Sequence, residues 1–177
     1  MENEKFDIAT FEANQKNNTY QFEKADGTVV RQMKYSTTGI FIENSAGIEV
    51  QSPLPLIPYW LEKQYYPNGN IKHKGHRMTQ GSLPIGMWEY YDEQGNKTVV
   101  DEGAKYGKFS YNDVLLFLDK EKLIDLSTGK GLDNLRITYD IKRYEWHVIV
   151  HPGGTYQCRF NAETGDVLEY QQLKYEE

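Results

Sequence analysis

The stretch WEYYDEQGNK, Trp88 to Lys97, sets four bulky residues against a run of turn formers. An earlier stretch, QYYPNGNIK from Gln64 to Lys72, has the same shape. In each, two adjacent tyrosines precede a Pro or Asp and then a Gly-Asn pair. Adjacent strand residues point to opposite faces, so one tyrosine of each doublet is expected to pack and the other to stay exposed. The doublets therefore read as the period of a repeating hairpin structure whose rings form rungs of a shared core.

Working outward, short β-like runs alternate with Gly-centred turns from Tyr20 to about Gly103: TYQFEK, TVVRQMKY, GIFIEN, GIEVQ, KQYYP and GMWEYYD. Asp26-Gly27, Thr38-Gly39, Ala46-Gly47, Asn68-Gly69-Asn70 and Gln94-Gly95-Asn96 tolerate the positive φ that tight connections need. PLPLIP, Pro53 to Pro58, lacks three ladder donors and reads as a connector. Lys74-Gly75 would close one repeat unit, and Gly86-x-Trp88 would open the next.

A different texture begins near Phe109. Ser110 with Asp113 three residues later forms a box-like helix start, and Val114, Leu115, Leu118 and Leu123 give a helical apolar stripe over DVLLFLDKEKLIDL. Four strand-like runs follow: LRITYDI, EWHVIV, TYQCRF and DVLEYQQL. Ile137, Tyr139 and Ile141 alternate with polar neighbours, as do Tyr156, Cys158 and Phe160. The expected fold is α+β and predominantly β: an antiparallel meander of hairpins, then a helix packed on a C-terminal antiparallel sheet. The expected division is an N-terminal segment over residues 1–18, a hairpin region over 19–107, and a helix plus four strands over 108–177.

Composition narrows the function. The 177 residues include 14 tyrosines, and aromatics make up 14% of the chain, a load that suits strands. A net charge of −6 and a pI near 5.3 oppose nucleic acid or an anionic membrane as partner. Residues 109–177 hold 12 acidic residues against 8 basic ones, so this half is the expected face for a basic partner. One cysteine, Cys158, permits neither an intrachain disulfide nor a cysteine metal cluster, and its strand position marks it as core. The N-terminus lacks a basic start followed by an apolar core, and no apolar run reaches the ~20 residues of a membrane span, so a cytoplasmic address is expected.

Catalytic signals are weak. His73 and His76 are three apart and would point to opposite strand faces, and His147 and His151 sit at opposite ends of one strand. All four read as surface or hairpin-end residues, with no metal expected. The carboxylate pairs Asp92/Glu93 and Asp101/Glu102 read as neighbours on turns that face water. GKGLDNL, Gly129 to Leu135, has neither a preceding strand nor a Lys-Ser/Thr pair for cradling phosphate. Basic residues occur singly apart from Lys142-Arg143, which leaves no nucleic-acid stripe. No enzyme activity and no cofactor are expected.

The doublet pattern resembles the MORN-variant repeat through Tyr65, Tyr66, Pro67, Asn68, Gly69, Gly75, Gly86, Trp88, Tyr90, Tyr91, Asp92 and Gly95, about forty residues in all. Looser echoes lie at Phe22 to Gly27 and Phe41 to Gly47. The C-terminal EWHVIV…GTYQCRFNAETGDVLEY is similar to a PepSY-like unit, with Trp146 and Glu163 to Val167 in the matching places. The resemblance implies a bacterial antitoxin of the YwqK type, or an immunity protein that binds a cognate toxin domain directly. Tyr66, Trp88, Tyr91, Asp92 and Glu93 on the repeat face are the expected contacts, with Asp140, Glu145 and Asp166 as a second set. The alternative is a non-catalytic scaffold or surface-interaction module built on the same repeats.

Overall fold

The computed structural model describes residues 4–34, 45–52, 58–79 and 82–173. They fall into two units: the first runs to Glu102 except for Pro58, and the second takes Pro58 and everything from Gly103. Both are built on antiparallel sheets, with two short helices, so the protein is α+β and predominantly β.

The first unit holds α1 (Ile8–Asn14) and seven strands: β1 (Thr19–Glu23), β2 (Val29–Met33), β3 (Gly47–Ser52), β4 (Tyr59–Tyr65), β5 (Ile71–Met78), β6 (Pro84–Tyr91) and β7 (Lys97–Asp101). Each strand pairs with its neighbour in sequence, giving one sheet in the order β1 to β7. Three connections share one hydrogen-bond pattern. In the five-residue turns starting at Lys24, Tyr66 and Asp92, the first amide donates to the fifth carbonyl and the fourth residue's amide donates back to the first carbonyl. The fourth residue is always glycine, Gly27, Gly69 or Gly95, at φ 83°, 83° and 87°. That left-handed backbone is cheap for glycine and strained for other residues.

Helix α1 was not foreseen. Asp7 caps it by accepting a bond from the Thr10 amide at 2.9 Å. Residues 6–14 belong to this unit's core rather than to a separate segment: Phe6 and Phe11 are buried with Ala46, Tyr65 and Ile71. The Phe6 ring lies 5.4 Å from Phe11 and 5.2 Å from Tyr65. Expectations for the strand over residues 39–44, the turn at 38–39, the echo over 41–44 and most of the connector at 53–57 lie outside the described residues.

The doublets behave unequally. Tyr65 is buried and Tyr66 half-buried, but Tyr90 and Tyr91 are both half-buried on opposite faces, so the second pair has no freely exposed member. Gly75 does not close a unit. It lies in the middle of β5, where a side chain would collide with Trp88.

The second unit comprises a 3-10 turn (Gly103–Tyr106), α2 (Tyr111–Lys120) and β8 (Leu135–Asp140), β9 (Glu145–Val150), β10 (Thr155–Asn161) and β11 (Val167–Leu173), ordered β11-β10-β9-β8. The Ser110 hydroxyl accepts from the Asp113 amide, and the Asp113 carboxylate accepts from the Ser110 amide at 2.7 Å, a capping box as the sequence indicated. Val114, Leu115 and Leu118 are buried, and Phe117 meets Phe160 of β10 edge-on at 4.9 Å. Trp146 is fully buried, donates to the Phe109 carbonyl at 2.8 Å and lies 4.8 Å from the Tyr139 ring.

Two details depart from the sequence pattern. The helix stops at Lys120 although the apolar stripe runs on to Leu123. Lys122 takes φ 59°, and the amides of Lys122 and Leu123 turn back to the carbonyls of Asp119 and Leu118. This Schellman arrangement ends the helix and still buries Leu123. Ile141 does not continue the inward alternation of β8: it sits on the turn to β9 and is 71% exposed.

Candidate functional site

One face of the first sheet carries a straight polar rung. Register places Gln32 opposite Glu49, Glu49 opposite Lys63, Lys63 opposite Lys74, Lys74 opposite Glu89, and Glu89 opposite Val99. Two lysines directly across a strand pair repel. Here the repulsion is relieved by Glu4, which bonds Lys63 and lies 3.7 Å from Lys74. Glu49 adds an ion pair to Lys63 at 3.5 Å and accepts from Gln32 at 2.8 Å. Glu89 is 3.3 Å from both Lys74 and Lys97. Glu4, Leu61, Lys63, Lys74, Met87 and Glu89 border a depression of about 260 Å³.

Tyr91 extends this rung, and Tyr66 braces its backbone. The Tyr91 hydroxyl donates to Glu89, and the Tyr66 hydroxyl donates to the Tyr91 carbonyl at 2.7 Å. The Lys72 ammonium lies 5.7 Å from the centre of the Tyr66 ring. The bond from Tyr91, with help from Lys74 and Lys97, holds the Glu89 carboxyl down at about 2, against the lift from burial. Burial alone would lower the Lys74 ammonium, but Glu89 and Glu4 outweigh it and hold the proton more tightly. Beside these charges Met87 is 60% and Val99 47% exposed. The result is a fixed array of paired charges beside apolar surface.

The opposite face of this sheet is closed by a second constellation. Arg77 forks onto Glu62, with both nitrogen–oxygen distances at 2.9 Å, and its guanidinium lies 5.1 Å from the centre of the Trp88 ring system. His73 Nε2 stands 3.7 Å from the same carboxylate, too long for a hydrogen bond. His73 is thus largely buried between Trp88 and Tyr90 rather than at the surface. Glu102 is buried as well and accepts from the Tyr90 hydroxyl at 2.7 Å, so the Asp101/Glu102 pair does not simply face water.

In the second unit, the face of the four-stranded sheet away from α2 carries a network centred on Arg159. Its guanidinium bonds Glu169 at 2.6 Å and Glu145 at 3.0 Å, and His147 lies 3.1 Å from Glu145. Cys158, pointing to the other face, is completely buried, and burial pushes its thiol up to about 11. Among the described residues, no three His, Cys, Asp or Glu side chains converge as metal ligands would.

Each expected contact residue now has a place. Tyr91 lies on the rung face, and Tyr66 reaches its backbone carbonyl from the end of β4. Trp88 is not a surface residue: it is 1% exposed, seated on Gly75 and hydrogen-bonded to the His76 carbonyl at 3.0 Å. Its indole fills the only space a glycine leaves in β5, so it belongs to the core. Asp92 builds the turn after β6, accepting from the amides of Gln94 and Asn96 at 3.0 and 2.8 Å. These bonds, the Asn96 side chain foremost, hold its carboxyl below the usual range. Glu93 is exposed on the same turn.

Asp140 and Asp166 are also turn builders. The first accepts from the Lys142 amide at 2.9 Å, and the second from the Thr164 hydroxyl at 2.6 Å. Glu145 belongs to the Arg159 network. Sequence reading missed Glu4, Lys63, Lys74, Glu89, Glu62, Arg77 and Arg159, whose partners lie on other strands. A polar or charged residue at the facing position of five runs, Gln32, Glu49, Lys63, Lys74 and Glu89, was the one signal available for the rung. In comparisons with known proteins, no family model, no curated protein and no solved structure matches this chain.

Proposed function

We propose that the protein is a non-catalytic binding module: a cytoplasmic immunity protein or antitoxin that neutralises a cognate toxin domain by direct contact. On this reading its first sheet is a meander of MORN-like hairpins and its second unit is PepSY-like. The threefold recurrence of one glycine-bearing turn, at Lys24, Tyr66 and Asp92, supports the repeat reading.

The observation that carries the binding reading is the rung face. Exposed Met87 and Val99 stand beside Tyr91, Glu89, Lys74 and Lys97, an apolar centre with a charged and aromatic margin. Interfaces combine these features, with tyrosine as a frequent anchor. The charges of the rung are already bonded to one another, so the face is organised before a partner arrives and less ordering entropy is lost on binding.

The test is co-expression with any toxin domain found encoded beside the gene, together with binding measured on purified proteins. The wild type should protect cells and bind the toxin. The double substitution Met87→Asp/Val99→Asp should weaken binding by at least tenfold while leaving the melting temperature close to wild type. A double variant that binds as tightly as wild type would exclude this face. A wild type that neither binds nor protects would exclude the function.

A further inference from the structure

Among the described residues four strands end the two sheets, and they are protected to different degrees. An unprotected edge offers unpaired backbone donors and acceptors to another chain, and proteins blunt such edges with charge, proline or a short strand. In the first sheet β1 ends in Glu23, and β7 is only five residues long with Lys97 and Asp101 at its ends. In the second sheet β8 buries its apolar residues Leu135 and Ile137 and shows Arg136 to solvent.

Strand β11 has none of these devices along most of its length. It runs seven residues, VLEYQQL, without lysine, arginine or proline. Val167, Leu168 and Tyr170 are each close to half exposed, at 46%, 45% and 46%. Its one formal charge, Glu169, is held by Arg159 of the adjacent strand at 2.6 Å. The bulge opposite Arg159 and Phe160 falls near the start of β11, so the ladder from Glu169 to Leu173 stays regular.

We infer that β11 pairs antiparallel with β11 of a second copy of this chain, joining the two four-stranded sheets across a twofold axis at Tyr170. The strand is complementary to itself in this register. Over the regular ladder Tyr170 faces Tyr170 of the copy and Glu169 faces Gln171, while the bulge at Leu168 leaves that residue and Val167 near Gln172 and Leu173. No like charges meet, and apolar ends cover apolar ends. The Gln171 amide already donates to Glu169 at 2.5 Å within one strand, and pairing offers the same bond between copies. Tyr170 packs against Phe117 at 6.2 Å and Tyr156 at 6.3 Å, which fixes its ring for contact on the helix side of the joined sheet. An exposed tyrosine held by two rings loses little entropy when it docks.

Light scattering on the full chain, from micromolar to millimolar concentration, tests this pairing. The wild type should reach twice the 20.6 kDa of the single chain. Leu168→Lys and Tyr170→Lys should each return the mass to that of one chain with an unchanged circular-dichroism spectrum. Val99→Lys on the β7 edge should leave the dimer intact. Should a lysine variant fail to fold, Tyr170→Cys in a Cys158→Ser background decides independently: its two thiols would face one another and close a disulfide under mild oxidation. A wild type that stays monomeric at millimolar concentration overturns the proposal. So does a folded lysine variant that still dimerises, or a Tyr170→Cys form that does not cross-link.

Discussion

A β-carbon at Gly75 would come within 2.2 Å of the Trp88 ring system, so the indole occupies the space that the missing side chain leaves free. The sheet is held here by a notch in one strand and a knob from the next. Gly75→Ala must displace the ring or bend β5 and should cost about 1–3 kcal/mol, as overpacked cores do. Trp88→Ala, which empties the notch and loses the bond to His76, should cost about 3–5 kcal/mol. Urea unfolding followed by circular dichroism measures both, and a Gly75→Ala protein as stable as wild type would show that the ring is not tightly seated.

Glu62 should make stability depend on acid pH. Burial pushes its carboxyl up, but the His73 ring and the Arg77 guanidinium outweigh burial and hold it below its ordinary 4.5. A carboxyl with a lowered folded pKa contributes stability above the unfolded value, and this is lost as pH falls through the folded one. Wild-type unfolding free energy should therefore drop below pH 4.5, and Glu62→Gln should flatten that part of the curve. At neutral pH the same variant should lose about 1–3 kcal/mol, because Arg77 keeps only a neutral acceptor.

Lys122 offers a stabilising change. It holds φ 59° at the position after the end of α2, where glycine is free of the strain between β-carbon and carbonyl. Lys122→Gly should raise stability by about 0.5–1 kcal/mol, the gain expected from relieving a left-handed non-glycine residue less the flexibility added to the unfolded chain. A thermal melt reads the sign directly.

Tyr91→Phe isolates the bond that organises the rung. It removes the largest influence holding the Glu89 carboxyl down, so its pKa should rise from about 2 towards the ordinary 4.5. Carboxyl chemical shifts followed through an acid titration by NMR check this. A titration unchanged by the substitution would mean that the lysines alone set the site's charge.

The parts legible in the sequence are those built from near neighbours. Ser110 and Asp113 marked the start of α2, because a capping box closes within four residues. Asp26-Gly27, Asn68-Gly69 and Gln94-Gly95 marked the recurring turn, because its bonds span five residues and its glycine needs a positive φ. Cys158 and Phe160 showed their inward face through simple alternation, and both are completely buried.

Tertiary structure decided what lies across the strands. The sequence by itself determined most of the glycine-centred turns and that the chain forms ribbons, since those choices rest on local backbone energies. It did not determine which ring of a doublet is core, that Trp88 fills Gly75, or that Glu4 stands between Lys63 and Lys74. It also left Ile141 expected inside when it sits on an exposed turn. Each of these depends on a partner brought close by strand register, and register follows from packing the whole sheet rather than from the preferences of any one segment.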